Sequence, residues 1–319
     1  MPTRGGSFKL FSLAGISVFV HWSWFLVAIY SIQFRTHEYS SMIGNVAEYL
    51  VLFLIVLTHE FGHQLACRSV GGQTHDIVLW PLGGVAYVSP PQRPGAQLWS
   101  IAAGPLVNVV LVPVFTALVM ISSRLDWFEA HPDAAAFLHN VWWINAGLLI
   151  FNLMPVYPLD GGQILRSLLW FPFGRANSLL VASGIGFIGV AGLILLAVLG
   201  RSIWLGIMAG FILMNCWGGL KQARALARVA KIPRREGFAC PSCKTAPPLG
   251  ELWRCGKCGN PFDTFLAHAT CPHCGTQYNA TQCLDCGSSA PFAAWTPASA
   301  GSREPSDTPN LQQGVQIAP

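Results

Sequence analysis

Six long apolar windows constrain the fold of this 319-residue chain more than any other feature. They lie near residues 14–33, 47–67, 97–121, 136–154, 179–199 and 203–219. A helix needs about 20 residues to cross the roughly 30 Å hydrocarbon core of a bilayer, and these windows have about that length. With 52% hydrophobic and only 10% charged residues, the composition is unlike that of soluble globular domains. We therefore predict an all-α polytopic membrane protein with about six transmembrane helices.

The basic residues predict how these helices are oriented. One set of connecting segments holds most of the Lys and Arg residues, and the alternate set holds only Arg35, Arg124 and Arg201. Because Lys and Arg are retained in the cytoplasm, both termini are predicted to be cytoplasmic. The first window follows Arg4 and Lys9 without a small-residue cleavage site, which favours a span over a removed signal peptide. We expect a multi-pass protein of the plasma membrane of a prokaryote.

Composition divides the chain into four predicted segments. Residues 1–219 form a membrane domain, and the basic, alanine-rich stretch 220–237 continues as a juxtamembrane helix and linker. Residues 238–290 hold eight of the ten cysteines, and residues 291–319 are expected to be a disordered tail because they are poor in apolar residues. Within the membrane domain, HDIVLWPLGGVAYVSPP predicts a short membrane-associated β-hairpin. An irregular interfacial loop is the alternative there.

Two histidines and a glutamate interrupt the second window, in the sequence LTHEFGHQLA. His59 and His63 are four residues apart, so on a helix they share one face and are about 6 Å apart along its axis. H-E-x-x-H on a helix is typical of zinc hydrolases, in which the histidines bind the metal and the glutamate, here Glu60, handles the proton of the attacking water. Packed histidines and a hydrogen-bonded glutamate are the alternative. The functional interpretation is favoured because ionisable residues inside a membrane are costly.

A catalytic zinc site usually has three protein ligands, so a third is expected on another span. Asp160 follows an apolar run and precedes two glycines in the segment FNLMPVYPLDGGQILR. We predict that its carboxylate is the third ligand. The alternatives are that Asp160 caps the helix after it, or that Asp126, Glu129 or Asp133 is the ligand. Those three lie in a segment that the predicted topology places on the opposite side of the membrane.

These two motifs together resemble the signatures of the site-2 proteases, a family of intramembrane zinc metalloproteases. The family patterns H-E-x-x-H and N-x-x-P-x-x-x-L-D-G correspond here to HEFGH at 59–63 and NLMPVYPLDG at 152–161, and AGPLVN at 103–108 is also similar. The resemblance covers most of residues 10–220. It implies a zinc metalloendopeptidase that cuts a membrane-anchored protein in or near its transmembrane segment, as in regulated intramembrane proteolysis.

The resemblance also implies roles for individual residues. It places in the active site the zinc ligands His59, His63 and Asp160 and the water-activating Glu60. It also places Asn152 at the site, where we expect its amide to donate to the substrate backbone or to the developing oxyanion; helix capping or packing is the alternative. Asn108 either faces the site or packs. His21 is expected to be a packed or interfacial histidine rather than a ligand.

Four C-x-x-C pairs occur in the C-terminal part of the chain. Two such pairs can surround one zinc ion tetrahedrally, and a cytoplasmic location favours metal thiolates over disulfides. Pairing of consecutive motifs predicts two zinc ribbons in tandem, each with one structural zinc ion. Crossed pairing and a redox C-x-x-C are the alternatives. The eight predicted ligands are Cys240, Cys243, Cys255, Cys258, Cys271, Cys274, Cys283 and Cys286.

Other functions and partners follow from the same features. We expect a membrane-anchored protein substrate, contact with the lipid bilayer and a cytoplasmic protein partner for the ribbons, with nucleic acid as the weaker possibility. One rival is a non-catalytic membrane relative that uses the ribbons as an interaction scaffold, which the intact Glu60 disfavours. Another is a metal transporter, which would have ligands at matching positions of two repeated halves.

Overall fold

The computed structural model describes most of the chain, in two compact units. The first unit contains the residues up to Gly174 together with Val181–Gly218, and the second contains Arg175–Leu180 and the residues from Gly219 onward. The described residues are 6–34, 39–80, 83–124, 127–295 and 316–317.

Helices make up most of the chain. Among the described residues, five helices are long and apolar enough to span a bilayer, which confirms a multi-pass and mainly helical membrane fold. These five are α2, α3, α5, α6 and α7. The helices of the described residues are α1 (Ser23–Phe34), α2 (Met42–Ser69), α3 (Pro94–Arg124), α4 (Trp127–Ala130), α5 (Pro132–Leu153), α6 (Asp160–Leu199) and α7 (Ile203–Ala230).

A four-stranded sheet accompanies the helices of the first unit, in the order β1, β2, β3, β4. Strands β2 and β3 are parallel, and the other two pairs are antiparallel. The predicted hairpin corresponds to β3 and β4, and the N-terminal strands extend it. No described strand pairs with the outer side of β4. The strands are β1 (Ser7–Leu13), β2 (Ile16–His21), β3 (Gln73–Trp80) and β4 (Gly83–Ser89).

The first predicted window, 14–33, is not one membrane-length helix in the described chain. It consists of strand β2 followed by the 12-residue helix α1. In β2 the side chains of Ile16, Val18 and Val20 are buried at every second position. This period of two and the β-branched residues favour a strand, whereas average hydropathy over the window detects only that both parts are apolar.

The sheet packs against the middle of α2. Ile16, Val18 and Ile77 form one core with Val56 and Leu57 of α2. Leu57 is two residues before the H-E-x-x-H motif. The sheet therefore lies beside the turn of α2 that carries the predicted zinc ligands. Helix α6 begins at Asp160 and is interrupted at Gly174, where the backbone leaves the helical conformation.

The second unit contains short strands around a core of aromatic residues and cysteines. Trp253, Phe262 and Trp295 are fully buried in this core. The first residues of the segment expected to be disordered, Phe292–Trp295, are instead a 3-10 helix that packs on this core, and strand β9 of the same segment pairs with β5. The strands are β5 (Trp253–Arg254), β6 (Pro261–Phe262), β7 (Ala280–Gln282), β8 (Ser289–Pro291) and β9 (Gln316–Ile317), and a 3-10 helix covers Phe292–Trp295.

Candidate active site

Helices α2 and α6 bring the three predicted zinc ligands together. The Nε2 atoms of His59 and His63 are 3.1 Å apart. The Oδ2 atom of Asp160 is 3.0 Å from Nε2 of His59 and 3.4 Å from Nε2 of His63. Nitrogen and oxygen ligands of tetrahedral zinc lie about 2.0–2.2 Å from the metal, which puts them about 3.3 Å from one another. The donor atoms and their spacing therefore fit one zinc ion.

A hydrogen bond at Nδ1, the nitrogen that does not face the cluster, orients each of the two imidazoles. Nδ1 of His59 is 2.6 Å from Oδ1 of Asn108, and Nδ1 of His63 is 2.9 Å from the carbonyl oxygen of Ser100. Each of these oxygens accepts a hydrogen bond, so the proton belongs on Nδ1 and the lone pair of Nε2 is free to bind metal. Metal-binding histidines usually donate their second N–H in this way.

Asn108 is itself held by a second buried amide. Its Nδ2 donates to Oδ1 of Asn145 on α5 at 2.8 Å, and Nδ2 of Asn145 donates to the carbonyl oxygen of Asn108 at 3.0 Å. Both amide side chains are fully buried. This pair fixes the amide of Asn108 so that Oδ1 faces His59. The sequence left the position of Asn108 open and did not single out Asn145, although a polar amide inside an apolar span is the signal that points to it.

We expect Asn108→Ala to weaken zinc binding at this site by about 10- to 100-fold, the usual cost of losing a hydrogen-bond partner of a metal-binding histidine. The physical reason is that the imidazole of His59 loses its fixed tautomer and orientation. The measurement is peptide cleavage as a function of buffered free zinc. Asn215→Ala is the matched control, because that amide donates only within its own helix, to the carbonyl of Phe211. Equal zinc dependence of Asn108→Ala and the wild type would contradict the role.

Two glycines allow neighbouring backbone to approach the site closely. A Cβ atom on Gly104 of α3 would overlap the imidazoles of His59 and His63. A Cβ atom on Gly84 of β4 would overlap the carboxylate of Glu60. Helix α3 and strand β4 therefore form two walls of the site, and Glu60, which is only 6% exposed, lies beside β4.

The other predicted site residues have different surroundings. Asn152 is half-buried in the last turn of α5, and its contact with substrate stays a prediction. The ring of His21 stacks on that of Trp80 with centroids 3.9 Å apart, as expected of a packed histidine.

The two rival ligands that the structure describes, Asp133 and Glu129, do not join the His59 and His63 cluster. The carboxylate of Asp133 accepts hydrogen bonds from the backbone N–H of Ser40 at 3.1 and 3.2 Å. Glu129 is exposed on α4. Asp126 lies outside the described residues.

The C-terminal cysteines form two tetrads, but the expected pairing of consecutive motifs is wrong. The ligand atoms of each tetrad lie within 4.8 Å of one another. The first and last C-x-x-C motifs form the outer tetrad, and the two middle motifs form the inner one. One ribbon is thus inserted in the other. The outer tetrad is Cys240, Cys243, Cys283 and Cys286, and the inner one is Cys255, Cys258, Cys271 and Cys274.

Two hydrogen bonds between distant residues hold the module in this nested arrangement. The backbone N–H of Ala239 donates to the carbonyl of Trp295 at 2.8 Å, which joins the two ends of the module. The indole of Trp253 donates to the carbonyl of Gln282 at 3.0 Å, which holds the last motif against β5. Neither contact between distant residues can be derived from the spacing of the motifs.

The chemistry of both tetrads fits zinc. The measured distances between Sγ atoms are 3.7 and 3.8 Å in the outer tetrad and 3.5 and 3.7 Å in the inner one. Four sulfurs bound tetrahedrally at about 2.3 Å would be about 3.8 Å apart. In the outer tetrad, a hydrogen bond from the Cys283 thiol lowers the pKa of Cys286 to about 4. This shift favours the thiolate of Cys286, the form that binds zinc.

Comparison with known proteins gives consistent matches. Residues 47–134 and 128–196 match Peptidase family M50. The chain is 31% identical over 182 residues to "Zinc metalloprotease MJ0392" of Methanocaldococcus jannaschii, across 56% of this chain and 50% of that protein. It is 30% identical over 245 residues to "Putative zinc metalloprotease sll0528" of Synechocystis, across 69% of this chain and 62% of that protein. The chain thus spans about half to three fifths of the length of these relatives.

The solved structure of the site-2 protease from Methanocaldococcus jannaschii is similar to this chain. The identity is 25% and the TM-score is 0.49. The match covers 67% of this chain and 95% of that one.

Proposed function

This chain belongs to the site-2 protease family, Peptidase family M50, and we propose that it is a zinc endopeptidase that hydrolyses a peptide bond in or near the transmembrane segment of a membrane-anchored protein. The observation that carries the proposal is the arrangement around His59 and His63. Two imidazoles with anchored Nδ1 atoms and a carboxylate from a second helix present three zinc-binding atoms at the right spacing. Glu60 lies next to them, in a helix long enough to span a membrane.

The chain supplies the acid–base and binding groups of the reaction. When bound, zinc would act as a Lewis acid that polarises the scissile carbonyl and lowers the pKa of water. Glu60 would accept the proton of the attacking water and then deliver it to the leaving amine. We propose that the amide of Asn152 donates to the substrate backbone or to the developing oxyanion.

The depth of the site determines where the substrate would be cut. His59 is nine residues before Arg68 at the end of α2, or about 14 Å at 1.5 Å per residue. Since the basic residues predict that this end of α2 is cytoplasmic, the scissile bond would lie toward the cytoplasmic part of the substrate helix. We propose a protein of the prokaryotic plasma membrane with both termini in the cytoplasm.

Strand β4 offers a place for the unwound substrate. A transmembrane helix satisfies its own backbone hydrogen bonds, so its peptide bonds must be exposed before they can be cut. Strand addition to the outer edge of β4 would satisfy the exposed N–H and C=O groups. Because Gly84 of β4 lies against Glu60, a substrate strand on this edge would pass close to the general base.

The test is cleavage of a single-span substrate by the purified full-length chain in detergent. We expect cleavage by the wild type and none above background by His59→Ala, because the site loses a zinc ligand.

A second experiment tests strand addition with the same substrate, in which one amide beside the scissile bond is replaced by an ester, a change that removes an N–H donor. This substrate should be cut more slowly if it binds as a strand. Cleavage by His59→Ala at the wild-type rate would refute the function, and equal rates for both substrates would refute strand addition.

For the ribbons, we propose two structural zinc ions and a cytoplasmic protein partner rather than nucleic acid. The described surface of this module mixes charges of both signs, with the exposed residues Lys244, Arg254 and Lys257 close in sequence to the exposed Glu251. A nucleic-acid surface would instead show a continuous basic face. Saturable binding of DNA or RNA in fluorescence anisotropy at physiological salt would contradict this choice.

A further inference from the structure

We propose that Arg93 selects substrates that carry an acidic residue in the cytoplasmic segment flanking the cleavage site. The inference rests on the proposed function and names a substrate class for it. It starts from a cleft outside the zinc site and from a cation there that has no partner among the described residues.

The cleft lies where α2 ends and α3 begins. It is open and has a volume of about 610 Å³. Helix α2 contributes Ser69 and Val70, the first turn of α3 contributes Arg93 and the residues after it, and α6 contributes Phe171. Arg93 is the one charged residue among these lining residues.

Arg93 is exposed, and its guanidinium makes no hydrogen bond or ion pair with the described residues. Arg68, also near the end of α2, is engaged differently: its Nε donates to Oγ1 of Thr74 at 2.7 Å, and its Nη1 donates to the carbonyl of Ala14 at 2.5 Å. Of these two arginines, Arg93 is therefore the one whose guanidinium is not engaged by the described residues and can bind a ligand. A guanidinium binds carboxylates through two parallel hydrogen bonds, so a carboxylate is the matching partner.

Strand β4 connects the zinc site to this cleft. The strand starts with Gly83 and Gly84 beside Glu60 and ends at Ser89. Pro90 then packs against Gly72, just beyond the end of α2. The backbone N–H of Arg93 donates to the carbonyl of Pro91 at 2.7 Å, which continues this path to the cleft.

A substrate strand on the outer edge of β4 would therefore reach the cleft on its cytoplasmic side. Five residues of strand from Gly84 to Ser89 cover about 17 Å at about 3.3 Å per residue. Substrate residues about five to eight positions from the scissile bond would then face Arg93. Cytoplasmic flanks of transmembrane helices are usually rich in Lys and Arg, which Arg93 would repel. An acidic flank would distinguish a substrate from most other single-span proteins.

The experiment compares matched single-span substrates with Asp-Asp, Ser-Ser or Lys-Lys in that flank, cut by the full-length chain. We expect kcat/KM to be about fivefold higher for Asp-Asp than for Lys-Lys, the upper range for a partly exposed ion pair. The difference should appear mainly in KM, because the contact is the same in the ground state and the transition state. Arg93→Glu should reverse the order of the substrates and Arg93→Lys should keep it.

Arg124→Glu is the matched control, because it makes the same charge change at the other end of α3. It should leave the preference unchanged. Cleavage of all three substrates at equal kcat/KM by the wild type would overturn the inference and leave the proposed function intact. Cleavage of none of them would overturn the proposed function. Binding of the same substrates to the Glu60→Gln chain then decides the docking inference separately, and equal affinities would overturn it.

Discussion

Glu60→Gln is expected to lower the rate of substrate cleavage by about 10²–10⁴-fold, the usual contribution of a general acid–base group. The glutamine has nearly the same shape as the glutamate but cannot accept the proton of the attacking water. His59, His63 and Asp160 are unchanged, so the zinc site keeps all three of its predicted ligands. The variant should therefore lose activity while retaining bound zinc.

The measurement combines cleavage rates with elemental analysis of the same preparation. Glu48→Gln is the matched control, because Glu48 is also a buried glutamate of α2 and lies eleven residues before His59. Its carboxylate accepts hydrogen bonds from the Tyr39 hydroxyl and from Nδ2 of Asn140. The control should cut at close to the wild-type rate. If Glu60→Gln with zinc bound cuts as fast as the wild type, Glu60 is not the base.

Local sequence patterns predicted the part of the site that depends on local geometry. The spacing of His59 and His63 places them on one face of a helix, and the need for a third ligand led to Asp160. The hydrogen bond from Nδ1 of His59 to Oδ1 of Asn108, and the support of Asn108 by Asn145, depend on how α3 and α5 pack beside α2. A periodicity in one helix contains no information about that packing.

The N-terminal sheet shows the same limit for the fold. Hydropathy averaged over 14–33 gives one apolar window, although β2 and α1 divide it. Non-helical backbone at membrane depth is tolerated only where it is buried in protein or lines a water-filled cavity. Here β2 is paired on both sides, by β1 and by β3, and it packs on α2. The pairing of β2 with β3 joins segments more than fifty residues apart, so no local pattern predicts it.

The nested cysteine pairing predicts which double substitutions remove one structural zinc ion and which remove two. Cys255→Ser with Cys274→Ser takes two ligands from the inner tetrad and none from the outer one. We expect the full-length chain to lose one zinc ion. Cys240→Ser with Cys255→Ser takes one ligand from each tetrad, and we expect both ions to be lost to a competing chelator. Structural zinc contributes about 10–16 kcal/mol of binding free energy in small zinc-finger peptides, so each loss should be large and easy to count.

Pairing of consecutive motifs predicts the opposite result for the same two variants. Cys240 and Cys255 would then belong to one site, while Cys255 and Cys274 would belong to two. Elemental analysis after dialysis against the chelator distinguishes the two arrangements. Cys67→Ser is the control, because this buried thiol lies outside both tetrads and should leave the zinc count unchanged. The contrary result would be loss of two ions from the Cys255 and Cys274 variant and of one ion from the Cys240 and Cys255 variant. It would show that consecutive motifs bind one zinc ion together. The shared core around Trp253 would then not determine the pairing.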